Sequence, residues 1–180
     1  LTDYSPSRAT KLWNAGLKQT GLSKVSLTLT IDDTDTYKSI GEFLQSQWQK
    51  SLPGLSVTIR TVPKTTRVQY LMDGNFDLVL TGWSGEYDDP ATYLNLEDTG
   101  NTYNFGGYAN ANYHKLMTTA NNSANKKQRW HAMVAAQKQM TEDMPVLPLF
   151  QQTYSYLRNP KISGLIENMA GNEPGWRGVY

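Results

Sequence analysis

Apolar and polar positions alternate strictly along Val25-Ser26-Leu27-Thr28-Leu29-Thr30-Ile31. That period of two predicts a strand with one apolar face. The same alternation returns from Leu55 to Val62, and the short apolar run Phe76-Asp77-Leu78-Val79-Leu80 reads as a buried strand. Between these segments the period becomes helical. Tyr37, Ile40, Phe43, Leu44 and Trp48 share one helix face, residues 32–35 offer caps, and Pro53-Gly54 ends the element. A further helix is predicted from about Thr65 to Met72, stopped by Asp73-Gly74. Ahead of the first strand, Ser5 or Ser7 can cap a helix through Ala9, Leu12, Trp13, Ala15 and Leu17, with Gly16 and Gly21 as stop signals. The order β-α-β-α-β with connections of this length favours parallel strands and right-handed crossovers.

The second half has a different rhythm. Residues 97–107 are polar and rich in glycine, which predicts a long loop. Tyr113, Leu116, Met117 and Ala120 form one helical stripe. Trp130, Met133, Val134, Gln137 and Met140 form another, with Asn125 as its cap and Pro145 as its stop. Val146-Leu147-Pro148-Leu149-Phe150 reads as an apolar strand, with Pro148 arguing for an edge or a bulge. From Pro160 onward periodicity fades.

Composition narrows the function classes. A chain of 180 residues with 38% hydrophobic positions can bury a real core. A net charge of +1 gives no global electrostatic case for nucleic acid or an anionic membrane. Lys126, Lys127 and Arg129 make the one basic cluster, expected to be a solvated helix face. The absence of cysteine excludes disulfides, thiolate metal sites and a cysteine nucleophile. No apolar run approaches the ~20 residues of a membrane-spanning helix. The chain begins Leu1-Thr2-Asp3, without Met, and is expected to be a piece of something longer or a processed product.

The candidate chemistry concentrates in Gly82-Trp83-Ser84-Gly85-Glu86-Tyr87-Asp88-Asp89-Pro90, which follows the third predicted strand. Ligands in parallel α/β sheets sit beyond the carboxyl ends of the strands, so this loop is the candidate site. Asp89-Pro90 reads structurally, as an N-cap followed by the first helical residue. Asp88 is expected to face solvent or to stabilise the loop. Glu86 follows the Ser84-Gly85 step and stands beside Trp83 and Tyr87. A carboxylate flanked by aromatics suits an ammonium group, through charge-assisted hydrogen bonds and cation–π attraction. Two other readings stay open at this level. Glu86 with Asp88 or Asp89 could be the carboxylate pair of a carbohydrate hydrolase. Asp88, Asp89, Asn95, Glu97 and Asp98 could hold a hard metal ion, although their spacing does not follow an EF-hand loop. His114 and His131 each lie one position beyond an apolar anchor and are expected at the surface.

An ordered series of short motifs resembles the carboxy-terminal lobe of extracellular oligopeptide-binding proteins, the family 5 solute-binding proteins of peptide ABC transporters. Tyr4-Ser5-Pro6-Ser7-Arg8-Ala9 with Leu12 and Ala15-Gly16 is similar to a "Y-x-P-x-x-A-x-x-L-x-x-A-G" helix. Gly74-Asn75-Phe76-Asp77, then Gly82-Trp83 through Asp89-Pro90 and Tyr93-Leu94, resemble that family's most distinctive segment. Tyr113 with Leu116 and Ala120 resembles a "Y-D-x-L-x-x-A" helix, with His114 in place of the Asp. Met144-Pro145-Val146-Leu147-Pro148-Leu149-Phe150 is similar to an "A-P-x-x-P-L-Y" strand, and Trp176-Arg177 with Val179-Tyr180 to the family's C-terminus.

The resemblance implies an α/β, periplasmic-binding-protein-like (type II) lobe: a βαβαβ core with additional helices and a returning strand. It implies a ligand-binding lobe over residues 1–160 and a tail over residues 161–180 that crosses to another lobe of the same protein. The implied activity is not enzymatic. It is capture of an oligopeptide between two lobes and delivery to a membrane permease, without a cofactor. A pheromone receptor or surface adhesin on the same scaffold is the variant reading. In family members that bind a free amino terminus, an Asp stands where Glu86 stands, and Trp83 with the backbone of Gly82, Ser84 and Gly85 lines that pocket. Glu is one methylene longer, which moves the carboxylate or narrows the pocket. The resemblance also implies an extracellular or periplasmic location with a lipidated N-terminus lying outside these residues.

Overall fold

The computed structural model describes residues 4–153, 155 and 157–165. The chain divides into two compact units, Leu1–Gly82 and Trp83–Tyr180.

The first unit opens with helix α1, Pro6–Thr20. The Ser5 hydroxyl accepts the backbone N–H of Arg8 at 3.4 Å, and Pro6 takes the first turn, where its missing N–H costs nothing. Gly16, expected as a stop, lies inside the helix. One glycine in a helix costs about 1 kcal/mol relative to alanine and does not end it. Gly21 ends it, with a φ of 71° in the left-handed region. No residue of α1 is buried. It is tied down instead by the Thr10 hydroxyl donating to the Ser51 carbonyl (2.6 Å) and the Trp13 indole N–H donating to the Pro53 carbonyl (2.8 Å).

Strands β1 (Val25–Asp32), β2 (Leu55–Val62) and β3 (Leu78–Val79) form a parallel sheet in the order β2-β1-β3, with α2 (Asp35–Ser51) and α3 (Lys64–Met72) as connections. Val25 stands opposite Leu55, and Leu29 opposite Leu78. Thr34 caps α2, accepting the Tyr37 N–H. Leu29, Ile31, Val57 and Leu80 are the core, with Tyr37, Ile40 and Trp48 of α2 packed on them. Thr30, on the opposite face of β1, is also fully buried, and its hydroxyl accepts two N–H groups of Arg60. A central parallel strand is covered on both sides, so its polar positions must be hydrogen-bonded. β3 is shorter than its apolar run. Before it, the Asp77 carboxylate accepts the Thr28 backbone N–H (2.8 Å); after it, the Leu80 N–H still donates to the Thr30 carbonyl (2.9 Å).

Asp32, read from the sequence as a cap candidate, is buried at the carboxyl end of β1. Arg67 of α3 donates to it from Nε at 2.6 Å and from a terminal nitrogen at 3.3 Å. The remaining guanidinium nitrogen donates to the Thr81 hydroxyl just beyond β3 (2.9 Å). Arg67 therefore bridges the carboxyl ends of β1 and β3. Open parallel sheets bind their ligands at this end, beyond the carboxyl ends of the strands.

In the second unit, α4 (Ala91–Leu94) runs into a 3₁₀ turn, Asn95–Glu97. Helices α5 (Ala111–Asn122) and α6 (Lys126–Asp143) follow. The Asn110 carboxamide accepts the Asn112 and Tyr113 N–H groups, and Asn125 caps α6 as expected. Ala91, Leu94, Tyr113, Met117, Ala120, Ala132, Met133 and Ala136 are the core. The Tyr113 hydroxyl donates to the Leu94 carbonyl at 2.6 Å, and burial pushes its pKa above the ordinary phenol value. Of the predicted α6 stripe, Met133 is buried and Met140 packs against the core, but the rest of the buried face differs. Ala132, Met133 and Ala136 face inward, whereas Trp130 and Val134 stay exposed. Alanines at a helix contact let the two axes approach closely, which a Trp130–Val134 face would not.

The expected returning strand is corrected by the structure. Residues 145–150 are irregular, with Val146, Leu147, Leu149 and Phe150 exposed. No strand of this unit occurs among the described residues, and an extended segment becomes a strand only beside a partner that takes its N–H and C=O groups. The expected tail, residues 161–180, lies outside the described residues from 166 onward.

The buried Asp32–Arg67 pair makes a testable case. Arg67→Met leaves a buried carboxylate without its counter-charge and should cost about 3–5 kcal/mol. The double variant Arg67→Met/Asp32→Leu should recover much of that loss. Urea unfolding of the two variants checks this, and equal losses in both would contradict it.

Candidate functional site

The loop from Trp83 to Pro90 is folded back on α4 by short bonds. The Gly85 N–H donates to the Tyr93 hydroxyl at 3.0 Å, and the Glu86 N–H donates to the Thr92 hydroxyl at 3.1 Å. A side chain at position 85 would crowd α4, because a Cβ there would lie 3.0 Å from the Tyr93 oxygen and 3.2 Å from the Thr92 methyl carbon, so both would have to give way. Gly85 is needed for close approach, and not for turning freedom.

Asp89 is the hub of this loop. Its carboxylate accepts the Ala91 N–H at 2.9 Å, and its carbonyl accepts the Thr92 N–H at 3.1 Å. The helix begins one residue later than expected, with Pro90 rather than Asp89 at the cap position and Ala91 as the first helical residue, while the Asp89 carboxylate still takes the Ala91 N–H. Arg129 of α6 then donates to both Asp89 oxygens, at 2.7 and 2.8 Å. That fork-on-fork geometry holds the Asp89 carboxyl below its ordinary pKa, the Arg129 hydrogen bonds being the largest cause. Arg129, expected on a solvated face with Lys126 and Lys127, is therefore committed to an ion pair.

A cavity of about 140 Å³ lies beside this loop. Trp83, Glu86, Tyr87, Thr92, Asn101 and Tyr103 are among the residues that line it. Trp83 and Tyr103 are in contact, ring centroids 4.7 Å apart and planes tilted by 58°; Phe105 meets Tyr103 edge-on at 6.0 Å. The Tyr103 backbone N–H donates to the Asn101 carboxamide at 2.8 Å, which fixes the turn carrying the ring. Among the described residues of the lining, Glu86 is the one carboxylate and no Lys, Arg or His joins it.

Of the six residues predicted for the site, Trp83, Glu86 and Tyr87 line this cavity. Gly85 supports it from behind, Ser84 is exposed, and Gly82 closes the first unit. Tyr103, Asn101 and Thr92 were not singled out by sequence. A tyrosine within a polar, glycine-rich loop is the only signal that pointed to Tyr103. Asp88 is exposed and outside the lining. Asp98 sits 2.9 Å from His114 Nδ1, while burial pushes the Glu97 carboxyl above its ordinary pKa. Among the described residues no three His, Asp or Glu side chains converge as a metal site. A larger depression of about 380 Å³ beside Asn125, Lys127, Gln128 and His131 is open, and all four of those residues are exposed.

The three-stranded parallel sheet with helical connections, together with the superpositions below, defines a periplasmic-binding-protein-like α/β class. Residues 1–105 match the model of the bacterial extracellular solute-binding proteins, family 5, and the chain belongs to that family. A dipeptide-binding protein of Lactococcus lactis subsp. cremoris is 37% identical over 166 residues, which is 90% of this chain and 30% of that protein. The OppA protein of Listeria monocytogenes, solved bound to peptide, superposes with a TM-score of 0.86 at 34% identity, covering 98% of this chain and 34% of that one. The substrate-binding domain of an oligopeptide ABC transporter from Bacillus anthracis superposes with a TM-score of 0.90 at 25% identity, covering 99% of this chain and 35% of that one. The chain spans about a third of the length of the curated relatives it matches.

The Asp89–Arg129 pair has a pH signature. A depressed folded pKa contributes stability above the unfolded carboxylate value of about 3.9, and loses it as pH falls through the folded value. Arg129→Gln should therefore destabilise the protein at pH 7 by about 1 kcal/mol, the upper end for a partly exposed pair. The gap from the parent protein should close progressively below about pH 4. Denaturant titrations at pH 7 and pH 3 measure it; a gap of the same size at both values would refute the assignment.

Proposed function

We propose that this chain supplies one lobe of a peptide-capture protein of an ABC importer. It binds an oligopeptide by its free amino terminus, closes with a second lobe of the same protein, and presents the ligand to a membrane permease. Membership of family 5 supports the class, and the peptide-binding relatives support the ligand. The observation that carries the site is the cavity lining, where Glu86 joins Trp83 and Tyr87 as the one carboxylate, with no Lys, Arg or His among the described lining residues. A terminal ammonium would receive charge-assisted hydrogen bonds there and face aromatic rings. The rest of the peptide would offer its backbone to the protein, which gives affinity with little demand on sequence.

This is binding without catalysis. A glycosidase needs one carboxyl that holds a proton near neutral pH and a second across the cleft. Asp89 has both oxygens on Arg129 and is held below its ordinary pKa, so it is a poor acid. Asp88 does not line the cavity. An extracellular or periplasmic position, with anchoring through a lipidated N-terminus, completes the proposal.

Calorimetry on the full-length protein with short peptides tests it. Free-amino peptides should bind, and acetylation of the amino terminus should abolish binding. Glu86→Gln should weaken binding about tenfold to a hundredfold, the worth of a charged hydrogen bond. Equal affinity for acetylated peptides would overturn the assignment. Because half of the clamp is contributed from outside these residues, the 180-residue chain alone should bind more weakly than micromolar; micromolar titration of the isolated chain would contradict this.

A further inference from the structure

We propose that His114 is a positioning residue for the ligand wall: its ring ties Asp98, and with it the loop that carries Tyr103, to helix α5, and it grips most firmly when protonated. The site then gains affinity as the pH falls from 7 toward 5. This rests on the reading of the Trp83–Tyr103 cavity as the ligand site.

Residues 98–107 contain no helix or strand, so a few bonds set the path of this loop. Asp98 carries its first turn. The Asp98 carboxylate accepts the Thr99 N–H at 2.9 Å, and the Asp98 carbonyl accepts the Asn101 N–H at 3.0 Å. Asn101 in turn accepts the Tyr103 N–H, and the Tyr103 ring stands against Trp83. The far end is held separately, by the Tyr108 hydroxyl donating to Asp143 of α6 at 2.6 Å. At the near end, among the described residues, His114 is the one helix side chain bonded to Asp98, with Nδ1 2.9 Å from the oxygen that also takes the Thr99 N–H.

A carboxylate can only accept, so Nδ1 must carry a hydrogen in this contact. A neutral imidazole meets that condition in one of its two tautomers. A protonated one always meets it and adds a charge. Histidine is the side chain that changes charge between pH 5 and 8. Its surroundings leave Asp98 as the counter-charge. One turn away along α5 stand Asn110, Ala111, Met117 and Thr118, none of them titratable. Lys115 is exposed, and the Tyr113 hydroxyl is committed to the Leu94 carbonyl. In the chain segment before the loop, Glu97 is buried. On α6, Asp143 is engaged by Tyr108, Asn110 and Gln139. A loop held by so few bonds opens locally, and affinity follows the fraction of molecules in which the wall stands in place.

Two measurements on the full-length protein test this, each comparing the parent with His114→Gln, which keeps a hydrogen-bond donor and cannot be charged. Amide hydrogen exchange without ligand reads the latch itself. At pH 5 the amides of residues 99–105 should exchange about twofold to fivefold more slowly in the parent, the worth of one partly exposed ion pair. Taking the ratio at each pH removes the intrinsic pH dependence of exchange, and the ratio should fall toward one by pH 7.5. Calorimetry with a free-amino tripeptide is then run between pH 5 and 7, above the ordinary carboxylate range and below the amine range. The parent's affinity should rise about twofold to fivefold toward pH 5, whereas His114→Gln should stay flat. A parent-to-variant exchange ratio that does not change with pH overturns the latch. A ratio that follows pH while affinity in the two proteins changes alike overturns the link between latch and ligand wall. If acetylated peptides bind as well as free ones, the amine reading falls by itself, and the exchange ratio still decides the latch.

Discussion

The bidentate contact between Asp89 and Arg129 is the constraint on which the candidate site depends. Helix α4 has four residues, far below the length at which a helix holds itself together in water. It stands because Asp89 takes its first N–H groups and because Arg129, forty positions later, fixes Asp89. Once α4 is placed, Thr92 and Tyr93 can receive the N–H groups of Glu86 and Gly85. The backbone under Glu86 is thus determined by a carboxylate that does not itself face the cavity.

Four acidic groups of similar chemistry receive four different assignments from their surroundings. Asp32 is buried on Arg67 and joins the ends of two strands. Asp89 is half-exposed on Arg129 and organises a loop. Glu97 is buried, and desolvation disfavours its ionised form. Glu86 is exposed, lines a cavity and has aromatic neighbours. Buried carboxylates need a partner in place, whereas an exposed one beside rings can wait for a cation. Three of these groups therefore serve the fold or burden it, and Glu86 is the one that lines the cavity.

Much of the architecture was legible because it is written in local periodicity. The alternation of Val25–Asp32 and Leu55–Val62, and the caps at Ser5, Thr34 and Asn125, need only neighbouring residues to be read. Misreadings occurred where distant partners decide. Trp130 and Val134 looked like core residues by spacing, but the alanines of α6 face the neighbouring helix. The apolar run at 146–150 had a strand's composition and no strand beside it. Tyr103 could not be assigned to the Trp83 wall from a loop that carries no periodic signal.

By itself the sequence determined the βαβαβ order, the helix caps, and the loop in which Trp83, Glu86 and Tyr87 stand, since these follow from spacing and backbone chemistry within a few residues. Only the tertiary structure decided that Arg129 belongs to Asp89, that Arg67 joins Asp32 to Thr81, and that Tyr103 closes a cavity against Trp83. Those pairings span 14 to 40 positions. An ion pair or ring contact at such separation depends on where the folded backbone brings two side chains, and no local pattern encodes that distance.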